Sequence, residues 1–163
     1  MKPKLYIVST PIGNYKDITL RALEVLREVD FIVCEEYKEA KRLLSNFDIE
    51  KELISLNEHN EIDTAPIVVQ KILEGKKAAI ISDCGTPLFS DPGHYLVDLC
   101  IANKIELIPL PGASSLMPAL AASGLDIEKF LYYGWLSPKT EIRKQELKKL
   151  TNENRLIIIL DTP

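Results

Sequence analysis

Short apolar runs alternate along the chain with longer stretches whose apolar residues recur every three or four positions. Five of the runs fall within the first 110 residues, at 5–8, 31–34, 53–56, 78–81 and 105–110. Near-continuous apolar strands separated by helices are typical of a parallel sheet covered on both faces. We therefore predict an α/β fold with a parallel five-stranded sheet and helices on both of its faces.

The connecting stretches predict the helices. Between the first two strands, residues 18–29 place their apolar side chains mainly on one helical face, with Asp17 or Thr19 available to cap the amino end. Further helices are predicted over residues 41–47, 62–73 and 95–102. Each connects two predicted strands, as a parallel sheet requires.

The pattern changes after the fifth strand, where a proline and a glycine break the chain. Ser114 or Ser115 then caps an alanine-rich helix that Gly124 ends. A strand over 130–135, a helix over 140–150 and a strand over 156–160 follow. Such a β-α-β unit does not readily cover its own apolar faces. We predict a first α/β domain over residues 1–112 and the beginning of a second, truncated α/β domain over residues 113–163.

The overall composition is that of a globular protein. Of the 163 residues, 46% are hydrophobic and 27% are charged. No apolar run approaches the ~18 residues needed to span a membrane. The first residues, MKPKLYIVSTP, contain too short an apolar stretch for a signal peptide. We expect a soluble, cytoplasmic protein without a membrane partner.

Neither the cysteines nor the histidines are spaced like metal ligands. Cys34, Cys84 and Cys100 are odd in number, widely spaced and free of a C-x-x-C pattern, which also argues against a disulfide framework. His59 and His94 have no second ligand at metal-binding spacing. We predict that the protein binds no metal.

The charge distribution leaves the question of nucleic-acid binding open. A net charge of −4 predicts no long-range attraction to phosphate. Local basic residues are nevertheless available to contact an RNA backbone, namely Lys38, Lys41, Arg42, Lys139, Arg143, Lys144, Lys148 and Lys149. A solvated helix face explains the same residues. Both interpretations therefore stand.

Turn-forming and polar residues gather directly after the five predicted strands. In a parallel sheet these positions share the carboxyl edge, where ligands bind because main-chain N–H groups are unpaired there. One such loop is an ordinary βα connection, whereas five together favour a binding site. The longest loop, residues 82–93, is rich in glycine and proline and suits a nucleoside recognised by main-chain groups. Since the glycine-rich phosphate-binding motifs are missing, a cofactor without phosphates fits best.

Several strings carry a family resemblance over nearly the whole chain. They are LYIVSTPIGN at 5–14, DITLRAL at 17–23, SLNEHN at 55–60, ISDCGTPL at 81–88, SDPG at 90–93 and LPGAS at 110–114. In this order they resemble the bacterial 16S ribosomal RNA cytidine 2′-O-ribose methyltransferases. These belong to the tetrapyrrole methylase superfamily, the class III S-adenosylmethionine-dependent methyltransferases.

The resemblance implies a two-domain methylase, usually a homodimer, that binds S-adenosylmethionine in the cleft between its domains. The implied cofactor contacts are Ile12, Asp83, Gly85, Thr86, Phe89, Ala113 and Ser114 in the first domain, with Leu160 and Asp161 in the second. The implied substrate is ribosomal RNA or the small ribosomal subunit, methylated on a ribose 2′-hydroxyl.

The implied chemistry needs little acid–base machinery. A sulfonium already activates its methyl group, so the protein mainly aligns the acceptor oxygen and excludes water. A ribose hydroxyl is nonetheless a poor nucleophile while it is protonated. A carboxylate within hydrogen-bonding reach would help, and Glu36 and Asp83 are the candidate bases.

Two segments depart from the family pattern. Residues 35–40 are EEYKEA where the ribosomal RNA enzymes typically have EDTRHT, and residues 160–163 are LDTP where those enzymes have a string of the YESP type. The first departure permits a methylase of the same superfamily that acts on a tetrapyrrole or another small molecule. A non-catalytic fragment that binds S-adenosylmethionine is the third hypothesis.

Overall fold

A computed structural model of the protein describes residues 2–89 and 91–161. Three residues of the family strings, Ser90, Thr162 and Pro163, lie outside this range. The chain divides into two compact units, Met1–Ser115 and Leu116–Pro163. The division shows only that each unit is compact in itself. The domain boundary expected after residue 112 therefore stays a prediction.

All five strands of the first unit pair in parallel. They are β1 (Lys4–Val8), β2 (Phe31–Cys34), β3 (Glu52–Ser55), β4 (Ala78–Ile81) and β5 (Glu106–Leu110), in the order β3-β2-β4-β1-β5. The register places Val8 beside Ile81 on one side and Leu110 on the other. The predicted parallel five-stranded sheet is confirmed, and three neighbouring strands end level at its carboxyl edge.

Helices cover both faces of this sheet. They are α1 (Leu20–Glu28), α2 (Tyr37–Ser45), α3 (Glu61–Leu73) and α4 (His94–Ala102). Successive residues of a strand point to opposite faces. Phe31 therefore belongs to a buried cluster with residues of α3 and α4 such as Leu96. Its neighbour Ile32 belongs to a second cluster with Leu26 of α1 and Leu43 of α2. The predicted two-sided arrangement is confirmed.

The observed helix ends differ from the prediction mainly in α2, which begins at Tyr37 and so earlier than expected. Its first turn closes because Ala40 N donates to the Glu36 carbonyl at 3.1 Å, and no side chain caps this end. Because no side chain caps this end, the sequence contains no N-cap signal there. At α1 the alternative is resolved, since Thr19 and not Asp17 caps the helix.

The second unit contains a two-stranded parallel sheet. Its elements are α5 (Leu116–Ala122), β6 (Phe130–Trp135), α6 (Thr140–Leu150) and β7 (Leu156–Leu160). β6 pairs with β7, with a bulge between Tyr132 and Gly134. The last three elements have the predicted bounds. Across the described residues of both units, no helix is both long enough and apolar enough to cross a membrane.

Candidate functional site

Three loops meet at the carboxyl edge of the sheet because β1 lies between β4 and β5. They follow Val8, Ile81 and Leu110, which share one level of the register. Parallel strands present their ligand-binding loops at this edge. The site can therefore be built from hydrogen bonds that join these loops across large distances in sequence.

The loops after β1 and β4 are joined by a two-way main-chain bridge. Thr10 N donates to the Gly85 carbonyl at 2.8 Å, and Gly85 N donates to the Thr10 carbonyl at 3.0 Å. The Thr10 hydroxyl donates to the Ser82 carbonyl at 3.1 Å, and the Ser82 hydroxyl donates to the Gly85 carbonyl at 3.1 Å. Both hydroxyls are buried, so each of these hydrogen bonds is shielded from water. These bonds fix the path of the long loop.

A chain of hydroxyl groups connects the loop after β5 to the other two. The Ser9 hydroxyl donates to Thr86 Oγ1 at 3.3 Å, and the Thr86 hydroxyl donates to the Ala113 carbonyl at 3.3 Å. Gly112 makes the close approach possible, since a Cβ at that position would lie 2.7 Å from the Ser9 Cβ. The three loops therefore form one connected rim, which we define as residues 9–12, 82–86 and 111–114.

Gly85 is the centre of this rim. Its φ of +79° lies in the left-handed region that favours glycine, and an added Cβ would lie 3.2 Å from Ile12 Cδ1. The same position faces the Ala113 carbonyl at 4.0 Å. Four of the predicted cofactor residues, Ile12, Gly85, Thr86 and Ala113, are thus brought together.

Asp83 stands beside the start of α2. Its Oδ1 accepts a hydrogen bond from Glu36 N at 3.3 Å, so the two candidate bases are neighbours. Burial raises the pKa of Asp83 above its ordinary value, and the charges of Glu36 and Glu39 add to this rise. The hydrogen bond from Glu36 N opposes them. A carboxylate with a raised pKa is a stronger base.

The whole sequence around this rim matches a known family. Residues 4–163 match the family described as Tetrapyrrole (Corrin/Porphyrin) Methylases. The chain belongs to the tetrapyrrole methylase family. The match includes all three loops of the rim and both units.

Curated relatives narrow the position of this tetrapyrrole methylase within the family. It is 44% identical over 158 residues to ribosomal RNA small subunit methyltransferase I of Haemophilus influenzae, covering 97% of this chain and 56% of the relative. It is 45% identical over 160 residues to the protein of the same name from Thermotoga maritima, covering 98% of this chain and 72% of the relative. The chain thus spans just over half the length of the first relative and groups with proteins of this name.

Solved structures of other proteins share the fold. The uroporphyrin-III-C-methyltransferase of Thermus thermophilus matches 83% of this chain and 60% of its own with a TM-score of 0.59 and 21% identity. A diphthine synthase matches 98% of this chain and 65% of its own with a TM-score of 0.68 and 17% identity. At these identities the likeness establishes the tetrapyrrole methylase fold alone.

Two further carboxylates, those of Glu35 and Asp91, lie beside the rim. The sequence indicated Glu35, as a pair with Glu36 after the second strand, for orienting a ribose or taking a proton, whereas it did not single out Asp91. Burial raises the pKa of Glu35, and the charges of Asp83 and Asp91 add to the effect. Burial likewise raises the pKa of Asp91, with a contribution from Asp83. The sequence signal was their position in loops after β2 and β4. The carboxyl edge is therefore acidic and suits a ligand that carries positive charge.

The remaining predicted cofactor residues are less closely tied to the rim. Phe89 is 46% exposed in the long loop, and Ser114 follows Ala113 and is half-buried. Leu160 and Asp161 end and follow β7 in the second unit. Their roles stay predictions.

The described residues include no cluster of metal ligands, and the three cysteines differ in their exposure. In the described parts of the chain, no group of three or more His, Cys, Asp or Glu side chains is arranged to hold a metal ion. Cys34 and Cys100 are buried, and burial raises the pKa of each thiol to about 11. Cys84 is exposed in the rim.

Proposed function

We propose that this protein takes part in methyl transfer from S-adenosylmethionine to the 2′-hydroxyl of a ribose in 16S ribosomal RNA. The observation that carries the proposal is the identity of 45% over 98% of the chain with a relative named ribosomal RNA small subunit methyltransferase I. The family resemblance indicates the ribose 2′-hydroxyl as the acceptor of the methyl group. A homodimer in the cytoplasm is part of the same proposal.

The chemistry of the rim fits S-adenosylmethionine. Gly85 has no side chain and lies beside the exposed Ile12 side chain, an arrangement that leaves room for the face of an adenosine. The sulfonium and amino groups of the cofactor are positive, and the carboxylates of Asp83 and Glu35 lie at this edge. The proposed contacts remain those predicted, Ile12, Asp83, Gly85, Thr86, Phe89, Ala113, Ser114, Leu160 and Asp161.

Asp83 is the better of the two candidate bases. When bound, the cofactor supplies an electrophilic methyl group, so the protein has to hold the hydroxyl in line and accept its proton. Burial strengthens Asp83 as a base, and Glu36 N holds its carboxylate through Oδ1. Glu36 and Asp83 are both exposed, so the hydrogen bond that holds Oδ1 distinguishes Asp83. We therefore assign proton acceptance to Asp83 and main-chain support to Glu36.

Calorimetry with S-adenosylmethionine tests cofactor binding directly. The wild-type protein is expected to bind it, and Thr86→Val is expected to weaken binding by about tenfold, or about 1.4 kcal/mol, because the rim loses a hydroxyl link. Thr151→Val is the matched control, since that hydroxyl also donates to a carbonyl, Lys148 O at 2.7 Å, in the second unit. Absence of binding by the wild-type protein would refute the proposal.

Transfer of labelled methyl groups tests the substrate. Small ribosomal subunits are expected to be labelled on a ribose, and a tetrapyrrole precursor is expected to stay unlabelled. The small-molecule alternative is favoured by the EEYKEA segment, which lacks the Arg-His pair of the ribosomal RNA enzymes. Labelling of the tetrapyrrole alone would support that alternative, and binding without transfer would support a non-catalytic module.

A further inference from the structure

We propose that a cavity at the amino edge of the five-stranded sheet, where the parallel strands begin, is a second ligand site that takes a small organic phosphate with an apolar body. The cavity has a volume of about 330 Å³ and lies wholly in the first unit. Four of its nine lining residues are lysines, namely Lys2, Lys4, Lys76 and Lys77. The inference goes beyond the proposed methyl transfer, because the rim lies at the opposite edge of the sheet.

The four lysines come from two separate parts of the fold. Lys2 and Lys4 precede and begin β1, whereas Lys76 and Lys77 follow the end of α3 and precede β4. The two pairs meet because β1 and β4 are neighbouring parallel strands. Cations are favoured near the carboxyl end of a helix, which explains the pair that follows α3. The same effect does not explain why Lys2 and Lys4 join them from another element.

The cavity is positive in a chain whose net charge is −4. Among the described residues that line it, none carries a carboxylate. Lys4 Nζ lies 3.7 Å from Glu106 Oε2, and in the described parts of the chain the other three lysines form no ion pair. The Asp30 carboxylate accepts a hydrogen bond from the main-chain Lys77 N and not from an ammonium group. Ammonium groups around one cavity repel each other, and a bound anion relieves this repulsion.

The type of basic residue favours phosphate as the anion. None of the described residues that line the cavity is an arginine. The planar fork of arginine matches a carboxylate, whereas the lysine ammonium is a compact point charge that also serves phosphate. A phosphate monoester carries a charge of about −1.5 to −2 near pH 7, so it can engage several ammonium groups at once. S-adenosylmethionine has no phosphate and is therefore not the ligand of this cavity.

The remaining lining favours an organic phosphate of limited size. Leu73 is 51% exposed and lines the cavity together with Pro3 and Tyr6. A Cβ on Gly75 would meet nothing within 4 Å, so the space beside this residue is open. The volume of about 330 Å³ is near the lower end of the roughly 300–1,000 Å³ typical of small-molecule pockets. One ring with a phosphate group therefore fits better than an RNA strand, whose phosphates follow an extended basic groove.

Titration of the isotope-labelled protein with phenyl phosphate, followed by amide chemical shifts, tests the proposal. The amides of Lys4, Gly75 and Lys77 are expected to shift. Phenyl phosphate should bind at least about tenfold more tightly than inorganic phosphate or neutral phenol. Unchanged amides at about 10 mM phenyl phosphate, or equal affinity for inorganic phosphate, would overturn the proposal.

Paired lysine variants test which charges hold the phosphate. Lys4→Gln combined with Lys77→Gln should weaken binding of phenyl phosphate by at least about tenfold, because one ammonium group is lost from each side of the cavity. Lys38→Gln combined with Lys41→Gln removes the same charge from α2 and should keep the affinity within about twofold of wild type. Equal affinities of the two double variants would contradict the proposal. The amide spectra show whether both are folded.

Leu73→Ser tests the apolar part of the ligand. It should lower the preference for phenyl phosphate over inorganic phosphate by about threefold, because the ring loses an apolar contact. Ile101→Ser is the matched control, since Ile101 is 61% exposed and lies on α4, outside the cavity. An unchanged preference in Leu73→Ser would refute the apolar body.

A single-stranded oligoribonucleotide separates a free phosphate ester from an RNA backbone. At equal phosphate concentration it should leave phenyl phosphate bound, and displacement would overturn the assignment to a small ligand.

The outcome is separable from that of the proposed function, because S-adenosylmethionine should shift the amides of Thr10 and Gly85 in the same protein. If it does so while phenyl phosphate shifts nothing, this inference fails alone. If phenyl phosphate binds at the amino edge and S-adenosylmethionine does not bind, the proposed function fails alone.

Discussion

The two edges of the parallel sheet differ in charge and in the kind of bonding that shapes them. The amino edge has a cavity of about 330 Å³ bordered by four lysines, Lys2, Lys4, Lys76 and Lys77. The carboxyl edge has a smaller cavity of about 180 Å³ and carries the carboxylates Glu35, Asp83 and Asp91. The larger cavity is therefore not the one beside the connected rim.

The buried hydrogen bonds of the carboxyl edge are the reason why we propose the rim, and not the amino edge, as the binding site of the cofactor. At the amino edge the Lys4 ammonium and the Glu106 carboxylate are both exposed and 3.7 Å apart, a pair that contributes about 0–1 kcal/mol. At the carboxyl edge, the buried hydroxyls of Ser9 and Thr10 join loops that are far apart in sequence, and the buried hydroxyl of Ser82 donates to Gly85 within the long loop. A preorganised main chain loses less entropy when a ligand binds. The comparison favours the rim as the proposed binding site of the cofactor because of the order of its backbone rather than the size of its cavity.

The strongest test of this contrast replaces one glycine at each edge. Gly112→Ala places a Cβ 2.7 Å from that of Ser9, so the loop after β5 has to shift at a cost of about 1–3 kcal/mol. Binding of S-adenosylmethionine should weaken by about 10- to 100-fold, measured by calorimetry.

Gly75→Ala is the matched change at the amino edge. Its φ of +96° makes the substitution cost about 1–2 kcal/mol, but a Cβ there would meet nothing within 4 Å. The free energy of unfolding should fall by about 1–2 kcal/mol, while the affinity for S-adenosylmethionine stays at the wild-type value. Equal loss of affinity in the two variants would contradict the contrast between the edges.

A second pair removes one carboxylate charge at each edge. Asp83→Asn keeps an oxygen that can accept from Glu36 N but removes the proposed base, so kcat for methyl transfer should fall by about 100-fold. Asp30→Asn is the control, because Asp30 Oδ2 also accepts a main-chain hydrogen bond, from Lys77 N at 2.7 Å. Its kcat should stay within about twofold of wild type. Wild-type turnover by Asp83→Asn would remove Asp83 from the mechanism.

The acidic edge should also be visible in the pH dependence of stability. Burial and Asp83 raise the pKa of Asp91, so the folded protein binds more protons than the unfolded chain as pH rises above about 4. As pH rises above about 4, ionisation of Asp91 is therefore less favourable in the folded protein than in the unfolded chain. The free energy of unfolding decreases as a result. Asp91→Asn should gain stability relative to wild type between pH ~4 and ~7, by less than about 1 kcal/mol because the group is partly exposed. Urea denaturation at several pH values measures this; a difference independent of pH would argue against it.

The smallest effect is expected at the exposed amino edge. Lys4→Gln removes the ion pair with Glu106 and should change the free energy of unfolding by less than about 0.5 kcal/mol. Cofactor affinity should remain unchanged in the same samples. A marked loss of affinity would mean that the amino edge takes part in binding.

The sequence predicts features that depend on local interactions better than features that depend on contacts between distant residues. The strands at Phe31–Cys34, Ala78–Ile81 and Leu156–Leu160 have the predicted bounds because continuous apolar runs are a local signal. The loops of the rim were found because turn residues cluster after strands. The start of α2 was missed because no side chain caps it.

The details of the site depend on contacts that no local pattern contains. Thr10 and Gly85 are joined although 74 residues lie between them in the chain. The approach of Glu35 to Asp91, and of Tyr15 to Arg42 around one cavity, likewise depends on the strand order. Sequence reasoning could name the loops, whereas only the fold shows which of their side chains meet.

A crystal structure of the protein with S-adenosylhomocysteine, the demethylated product, tests the central claim most directly. We predict that the nucleoside lies against Ile12, Gly85, Thr86 and Ala113 at the carboxyl edge, with its amino group towards the carboxylates. A nucleoside bound among the lysines of the amino edge, or a rim left empty at saturating ligand, would contradict the account.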